Sequence, residues 1–279
     1  MITGVHLWWL LISLISILNI GIWVFSATRF ARRKHIIHPR FYPLRRWVFW
    51  LSGIYVFVCA FRSFLPRIDL ERICLVESWM SSMFVGRAVT TVAELGFIIQ
   101  CAILLREAAI GTKLKTITVV FWIIVPLIVV AEGFSWYAIV TTNYFGSIIE
   151  ESLWTVTGML LLLSFISLWP YVSRRQRYFL APMIVYAIGF VIFMTTVDVP
   201  MYWARWQADL AQGVTFLSFS AGLKDMLRAC TVSFSFTKWH QEIPWMTLYF
   251  SITVWVSMAF AYAPSFKLTV RTKTVKPSS

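Results

Sequence analysis

The segment from Glu77 to Glu107 constrains the fold most, because it is apolar and long enough to cross a bilayer yet contains ionisable side chains. About twenty apolar residues span the hydrocarbon layer, and a charged side chain at that depth costs a few kcal/mol unless it faces a partner or a cavity. On a helix with about 100° per residue, Arg87, Thr91 and Glu94 fall within one arc of roughly 100°. The sequence therefore predicts a membrane helix with one polar stripe that faces a protein interior.

The composition places the whole chain in the membrane class. Of its 279 residues, 59% are hydrophobic and only 13% are charged, whereas about a quarter of a typical globular chain is charged. Seven apolar spans are bounded by charges, prolines or polar clusters, at about 5–27, 47–65, 79–105, 116–140, 152–172, 178–200 and 245–265. The predicted fold class is all-α, a polytopic membrane helix bundle. One transmembrane domain covers 1–266, including an outer interfacial segment at 201–244, and a basic cytoplasmic tail covers 267–279.

The distribution of basic residues predicts the orientation of the bundle. The connections after the first, third, fifth and seventh spans hold 17 of the 25 Lys and Arg residues, and cytoplasmic loops carry an excess of these residues. The N-terminus is therefore predicted outside and the C-terminus in the cytoplasm. Of the twelve acids, only Glu107 falls in a predicted cytoplasmic loop. The net charge of +13 follows from this topology, so no nucleic-acid partner is expected.

The first three and the last three spans share a weak pattern. Each triplet opens with a Leu-Trp pair and a span that ends in basic residues. GIYVFVCAFR, which ends at Arg62, aligns without gaps with GFVIFMTTVD, which ends at Asp198. Such an alignment is typical of a parallel 3+1+3 repeat with the fourth span as linker. Apolar segments also align by chance, so the repeat is a hypothesis.

The spacing of cysteines and histidines indicates which metal sites, cofactor sites and disulfides the chain could form. The four cysteines include no CxxC pair and the four histidines show no metal-ligand spacing, so the sequence predicts no metal and no cofactor. Cys74 and Cys230 both fall in predicted outer loops, where an oxidising compartment lets them pair. Cys59 and Cys101 lie within spans and are expected to remain buried thiols.

The candidate functional residues are ionisable and aromatic side chains in the outer half of the predicted bundle. The candidates for acid–base chemistry or proton coupling are Glu94, Glu132 and Asp198. The candidates for substrate binding are Arg87, Thr91, Trp136, Arg62, Glu150, Glu151, Trp154 and Trp203. Glu132 lies at the depth of Arg87, which makes an ion pair between the third and fourth spans feasible. Arg87 and Glu94 are about 10 Å apart along one helix axis, so water is expected between them.

These residues favour a small-molecule or proton-coupled transporter, in which Glu94 and Glu132 exchange protons or cations and Arg87 is the counter-charge. One alternative is an intramembrane enzyme that uses carboxylate acid–base chemistry on a lipophilic substrate; another is a seven-helix sensor or scaffold. The same charges also fit ion pairs that only fix helix packing. The final span lacks the lysine of a retinal receptor, and no span after the first contains a histidine to activate a serine nucleophile.

The expected partners are membrane lipid and a small-molecule or lipophilic ligand of unknown identity. The expected location is a plasma membrane or bacterial inner membrane. The sequence leaves open whether the protein is an enzyme, and it does not indicate an oligomeric state.

Overall fold

The structure is a computed structural model that describes residues 4–35, 37, 39, 41–228 and 230–264. Within these residues, seven helices are long and apolar enough to cross a membrane. The all-α, multi-pass membrane class is therefore confirmed. The predicted basic tail at 267–279 lies outside the described residues, and the orientation and the 3+1+3 repeat stay predictions.

The long helices are connected mostly by short turns. They are α1 Gly4–Ala31, α2 Tyr42–Phe64, α3 Met83–Thr112, α4 Lys115–Thr141, α5 Tyr144–Leu168, α6 Arg174–Ala211 and α9 Ile243–Ala261. Two short helices lie between α6 and α9, namely α7 Phe219–Asp225 and α8 Phe236–Trp239. Two of the long helices contain one π-helical turn each, at Met194–Asp198 in α6 and Tyr249–Thr253 in α9. Short 3₁₀ turns occupy Arg32–His35, Trp79–Ser81 and Trp169–Tyr171.

Local capping sets the ends of α3, α4 and α5. The Ser82 side chain accepts a hydrogen bond from the Val85 amide at the start of α3, and Asn143 does the same for the Phe145 amide at the start of α5. Lys113 and Thr142 adopt the left-handed conformation at the ends of α3 and α4, which turns the chain sharply. These short turns make α3, α4 and α5 neighbours in sequence and in space.

The two largest differences between the helices and the predicted spans are at the start of α5 and at the end of α6. Helix α5 begins at Tyr144 rather than near 152, because Asn143 caps a helix that already includes the acids at 150 and 151. Helix α6 continues to Ala211, so the first part of the segment predicted as interfacial, 201–244, is helical. Pro200 does not end α6, because it falls at the start of the α-helical segment after the π turn, a position that tolerates proline.

Helices α1 to α6 pack as successive neighbours, and α9 packs against α1, α2 and α3. Buried polar contacts hold α9 in this position. The Asn19 side-chain amide donates to the Phe250 carbonyl over 3.1 Å, and the Ser257 hydroxyl donates to the Gln100 side chain over 2.9 Å. Helices α6 and α9 meet through a 2.8 Å hydrogen bond between the hydroxyls of Tyr186 and Thr253. An interior space remains between α2, α3, α5, α6 and α9.

A small sheet covers one end of the bundle. Its strands β1 Arg67–Ile68, β2 Ile73–Cys74 and β3 Thr231–Val232 run in the order β1-β2-β3, with β1 antiparallel and β3 parallel to β2. A disulfide joins Cys74 to Cys230 with a Cα–Cα distance of 5.7 Å. The predicted pairing is therefore confirmed, as are the buried free thiols of Cys59 and Cys101. We call this end the disulfide end.

Candidate functional site

A cavity of about 740 Å³ occupies the interior space and extends to the sheet at the disulfide end. This volume is in the range of pockets that hold small organic molecules. Its charged lining residues are Arg62, Arg67, Asp69, Arg87, Glu94, Glu150, Glu151, Asp198, Arg205 and Glu242. The lining also includes many apolar side chains, among them Phe97, Leu161, Phe165, Met183, Phe190 and Phe260. The cavity is thus amphipathic.

One guanidinium group, that of Arg87, binds carboxylates from three helices. Its Nη2 atom lies 2.7 Å from Glu94 Oε2 of the same helix and 2.5 Å from Glu132 Oε2 of α4. Its Nη1 atom lies 3.3 Å from Glu150 Oε1 of α5. The Thr91 hydroxyl also donates to Glu132 Oε2, over 2.5 Å. We call Arg87, Thr91, Glu94, Glu132 and Glu150 the Arg87 centre.

The predicted pairing of Arg87 with Glu132 is present, but the prediction that water separates Arg87 from Glu94 is wrong. Seven residues are almost two full helical turns, so both side chains project from the same face of α3. Each side chain is long enough to extend along the helix surface toward the other. The two side chains together therefore span the distance between the backbone positions of Arg87 and Glu94 along the helix axis.

Two π-helical turns lie beside the cavity. Asp198 is the last residue of the turn in α6, and Tyr249 is the first residue of the turn in α9. A π turn contains one more residue than an α turn and therefore shifts the faces of the helix on either side of it. Both side chains line the cavity, and the Tyr249 hydroxyl donates to Glu94 Oε1 over 3.3 Å.

A second cation lies nearer the disulfide end. Arg205 Nη1 is 2.7 Å from Glu242 Oε1. The Arg205 guanidinium carbon lies 5.6 Å from the ring centre of Tyr144 and 5.7 Å from that of Tyr202, distances at which a cation interacts with an aromatic face. Neither Glu242 nor the two tyrosines were among the residues predicted from the sequence. The only available signal for Glu242 was an acid directly before the final apolar span.

The structure brings most of the predicted residues together. Those that line the cavity are Arg62, Arg87, Glu94, Glu150, Glu151, Trp154 and Asp198. Glu132, Thr91 and Trp136 do not line it, because they lie behind Arg87, where the Trp136 indole donates to the Thr91 hydroxyl over 3.1 Å. Trp203 is not a cavity wall: its side chain is half exposed on the outer face of α6 and contacts Trp206 at 5.4 Å.

Outside the membrane helices, Arg67 and the half-buried Asp69 form an ion pair that lines the cavity. Arg67 is fully buried; its Nε atom donates to Asp69 Oδ1 over 2.6 Å, and its Nη1 atom donates to the Ser82 carbonyl over 3.0 Å. Burial lowers the pKa of Arg67 to about 10. Burial alone would raise the pKa of Asp69, but the neighbouring Arg67 and Arg62 hold that pKa below its usual value.

This shift predicts how acid affects stability. A carboxyl group whose pKa is lower in the folded state stabilises the fold above its unfolded pKa of about 3.9, and that contribution is lost as the pH falls through the folded pKa. Wild-type protein should therefore melt at a higher temperature than Asp69→Asn at neutral pH, and the difference should shrink below about pH 4. Melting curves of both proteins across this range measure it. A difference that stays constant down to about pH 3 would contradict the prediction.

Within the described part of the chain, no group of three or more His, Cys, Asp or Glu side chains could hold a metal ion. Comparison with protein-family models, curated proteins and solved structures finds no match to this chain. The cavity itself therefore carries the functional inference.

Proposed function

We propose that this multi-pass membrane protein is a transporter for a small molecule, with the Arg87 centre as its site of proton or cation coupling. The observation that carries the proposal is the charge ratio of the centre, where three carboxylates share one guanidinium. Among the described residues, Glu132 Oε1 is buried without a hydrogen-bond partner, although Oε2 of the same group has two. Like charges this close favour protonation of one group or the binding of a further cation.

A second cavity supports a pathway through the bundle. It has a volume of about 20 Å³ and lies between α3, α5, α6 and α9 on the side away from the sheet. Five residues line both cavities, namely Cys101, Leu161, Phe165, Met183 and Phe260. We call these five shared residues the constriction, which in a transporter would separate the binding cavity from the opposite end of the bundle.

A buried ion pair holds the helices together beyond the constriction. Arg45 Nε of α2 lies 2.8 Å from Glu107 Oε2 of α3, and Arg45 Nη1 donates to the Phe260 carbonyl of α9 over 2.9 Å. Both charged side chains are almost fully buried. Because Phe260 also lines the constriction, we assign this ion pair to a closed gate at the end opposite the disulfide.

Flux measurements test the transporter proposal. Vesicles that contain the purified protein and an imposed pH gradient are exposed to a panel of small organic cations and neutral solutes, while a lumenal dye reports proton movement. At least one solute should collapse the gradient only in vesicles that contain the protein. Glu132→Gln and Glu94→Gln should each reduce this flux by at least about 100-fold, because an amide keeps the shape but cannot exchange a proton.

Glu77→Gln is the matched control, since Glu77 is exposed and does not line the cavity. Its flux should equal that of wild type. If Glu94→Gln and Glu132→Gln are both correctly folded and fully active, the Arg87 centre is a packing element and the proposal is wrong.

An intramembrane enzyme is the second candidate, and a specific observation favours it. Glu151 and Asp198 line the cavity with no hydrogen bond or ion pair to either carboxylate among the residues that the structure covers. A carboxyl group in an apolar site is a suitable general acid. Mass spectrometry of solutes recovered from the flux assay separates the candidates, because a transporter returns them unchanged. No separate observation favours a sensor or scaffold.

A further inference from the structure

We propose that the cavity binds a lipophilic cation, with its positive group between Glu151 and Asp198 and its apolar part along α5, α6 and α9. The ligand would enter sideways from the membrane between α6 and α9. This inference rests on the proposed transporter, because it names the substrate class of the same cavity.

The first observation is an imbalance of charge. Most cavity acids have a cationic partner: Asp69 has Arg67, Glu94 and Glu150 have Arg87, and Glu242 has Arg205. Asp198 has no hydrogen bond or ion pair to its carboxylate within the described chain, although only 5% of its surface is exposed. Glu151 lacks such a partner too among the described residues, and it lines the same cavity as Asp198.

A buried carboxylate without a partner is costly, and a bound cation removes that cost. Asp198 is buried, Glu151 is half-buried, and both line one cavity, which therefore favours a ligand with positive charge. Arg87 and Arg205 do not meet this need, because each already binds at least one other carboxylate at close distance.

The second observation is the aromatic surface of the cavity. The aromatic residues with a polar edge that line the cavity are Tyr55, Tyr144, Trp154, Tyr186, Tyr202, Trp245 and Tyr249. Aromatic faces attract ammonium groups, and quaternary ammonium ligands are recognised by such rings. The position of Arg205 over the rings of Tyr144 and Tyr202 shows that two of these faces already accept a cation.

The third observation is the apolar remainder of the cavity. Its lining on α5, α6 and α9 includes Leu161, Phe165, Met183, Phe190, Phe193 and Val256. A small hydrophilic cation would leave this surface without a partner, whereas a ligand with a hydrocarbon part buries it at a gain of about 25 cal/mol per Å². The cavity therefore fits an amphiphile better than a simple ammonium ion.

The fourth observation is an opening toward the membrane. Val185 of α6 and Leu248 and Ile252 of α9 line the cavity, yet 69%, 39% and 39% of their surfaces are exposed. Gly189 also lines the cavity, and no atom of the described residues lies within 4 Å of a Cβ placed on it. Residues that face both the cavity and the exterior lie next to the Tyr186–Thr253 hydrogen bond that joins α6 and α9, and they mark a gap between the two helices beside that contact. A molecule dissolved in the bilayer can reach the cavity through it.

Binding of one probe series tests the inference. Decyltrimethylammonium, decanol and decyl sulfate share one chain and carry a positive, neutral and negative head, respectively. Binding to the protein in lipid nanodiscs is measured with radiolabelled decyltrimethylammonium and unlabelled competitors. Decyltrimethylammonium should bind saturably and at least about 10-fold more tightly than decanol, and decyl sulfate should not compete. Equal affinity for decanol, or competition by decyl sulfate, would overturn the inference.

Variants of Asp198 and Glu151 test whether these two acids hold the positive group of decyltrimethylammonium. Asp198→Asn and Glu151→Gln should each weaken decyltrimethylammonium binding by about 10-fold, which corresponds to about 1.4 kcal/mol. Asp209→Asn is the matched control, because Asp209 is on the same helix but does not line the cavity, and its affinity should be unchanged. If the Asp198→Asn and Glu151→Gln proteins melt like wild type and bind with wild-type affinity, the proposed cation position is wrong.

The gap between α6 and α9 has its own test. Gly189→Trp should slow association of the probe by at least about 5-fold, because the indole would fill the gap. An unchanged association rate would refute access by this route.

The binding results are independent of the transporter proposal. Saturable, Asp198-dependent binding without flux would retain the cation site and reject transport. Flux of neutral or anionic solutes with no cation binding would retain transport and reject the cation site.

Discussion

Replacement of Arg87 by leucine is expected to abolish flux and to lower the free energy of unfolding by about 3–5 kcal/mol, because it removes the one cation shared by three buried carboxylates. Part of this loss should be recovered in Arg87→Leu/Glu132→Gln, since the double variant leaves fewer unpaired charges in the interior. Flux should not recover, because Glu132 can no longer exchange a proton. Denaturation in detergent and the vesicle assay measure the two effects separately.

Two further variants make this result interpretable. Arg106→Leu removes an exposed cation from the same helix and should change the free energy of unfolding by less than about 0.5 kcal/mol. Arg87→Lys keeps the charge but cannot reproduce the geometry of a planar guanidinium on several carboxylates, so an intermediate stability is expected. If Arg87→Leu is as stable as Arg106→Leu, the three carboxylates do not depend on Arg87.

Gly86→Ala is expected to lower the free energy of unfolding by at least about 3 kcal/mol, although it adds a single methyl group. A Cβ atom at this position would lie 1.1 Å from Nη2 of Arg67. Arg67 is fully buried and holds Asp69 and the Ser82 carbonyl, so moving its guanidinium leaves charges and a polar group without partners. Thermal unfolding monitored by circular dichroism measures the effect.

Gly21→Ala is the matched control for this variant. Gly21 is also inside a long helix, and within the part of the chain that the structure describes no atom lies within 4 Å of a Cβ placed on it. Its replacement should leave the stability unchanged or raise it by up to about 1 kcal/mol, because alanine has the higher helix propensity. The double variant Gly86→Ala/Arg67→Met should lower the free energy of unfolding by less than the sum of the two single changes, because the added methyl group no longer displaces a buried guanidinium. Additive costs would show that the close approach of Arg67 is not the cause.

The sequence alone identified the membrane class and the approximate positions of the seven helices. A helix in a bilayer must satisfy its backbone hydrogen bonds internally, so its length and apolar composition are properties of a local segment. The same local logic placed Arg87 and Glu94 on one face of α3, because residues seven apart on a helix share a face. It also identified Glu132 as a partner for Arg87 at the same depth in the bilayer, since this depth depends on the position of a residue within its span.

The start of α5 and the end of α6 do not follow from the hydropathy of the sequence. Asn143 starts α5 before the apolar run begins, and α6 continues beyond Pro200 because a π turn precedes that proline. Hydropathy averages over many residues and does not detect either feature. Both shifts matter for the site, since the first places Glu150 and Glu151, and the second Arg205, within helices that surround the cavity.

The tertiary structure decided which charges are paired. Glu150 and Glu151 are adjacent in the sequence, yet Glu150 binds Arg87 while the Glu151 carboxylate has no such partner among the described residues. Consecutive helical residues point about 100° apart, so the packing of α3, α4 and α6 around α5 gives each acid a different environment. The same reasoning separates Trp154, which lines the cavity, from Trp203, which faces outward. A sequence specifies which side chains share a helix face, but only the assembled bundle determines what each face meets.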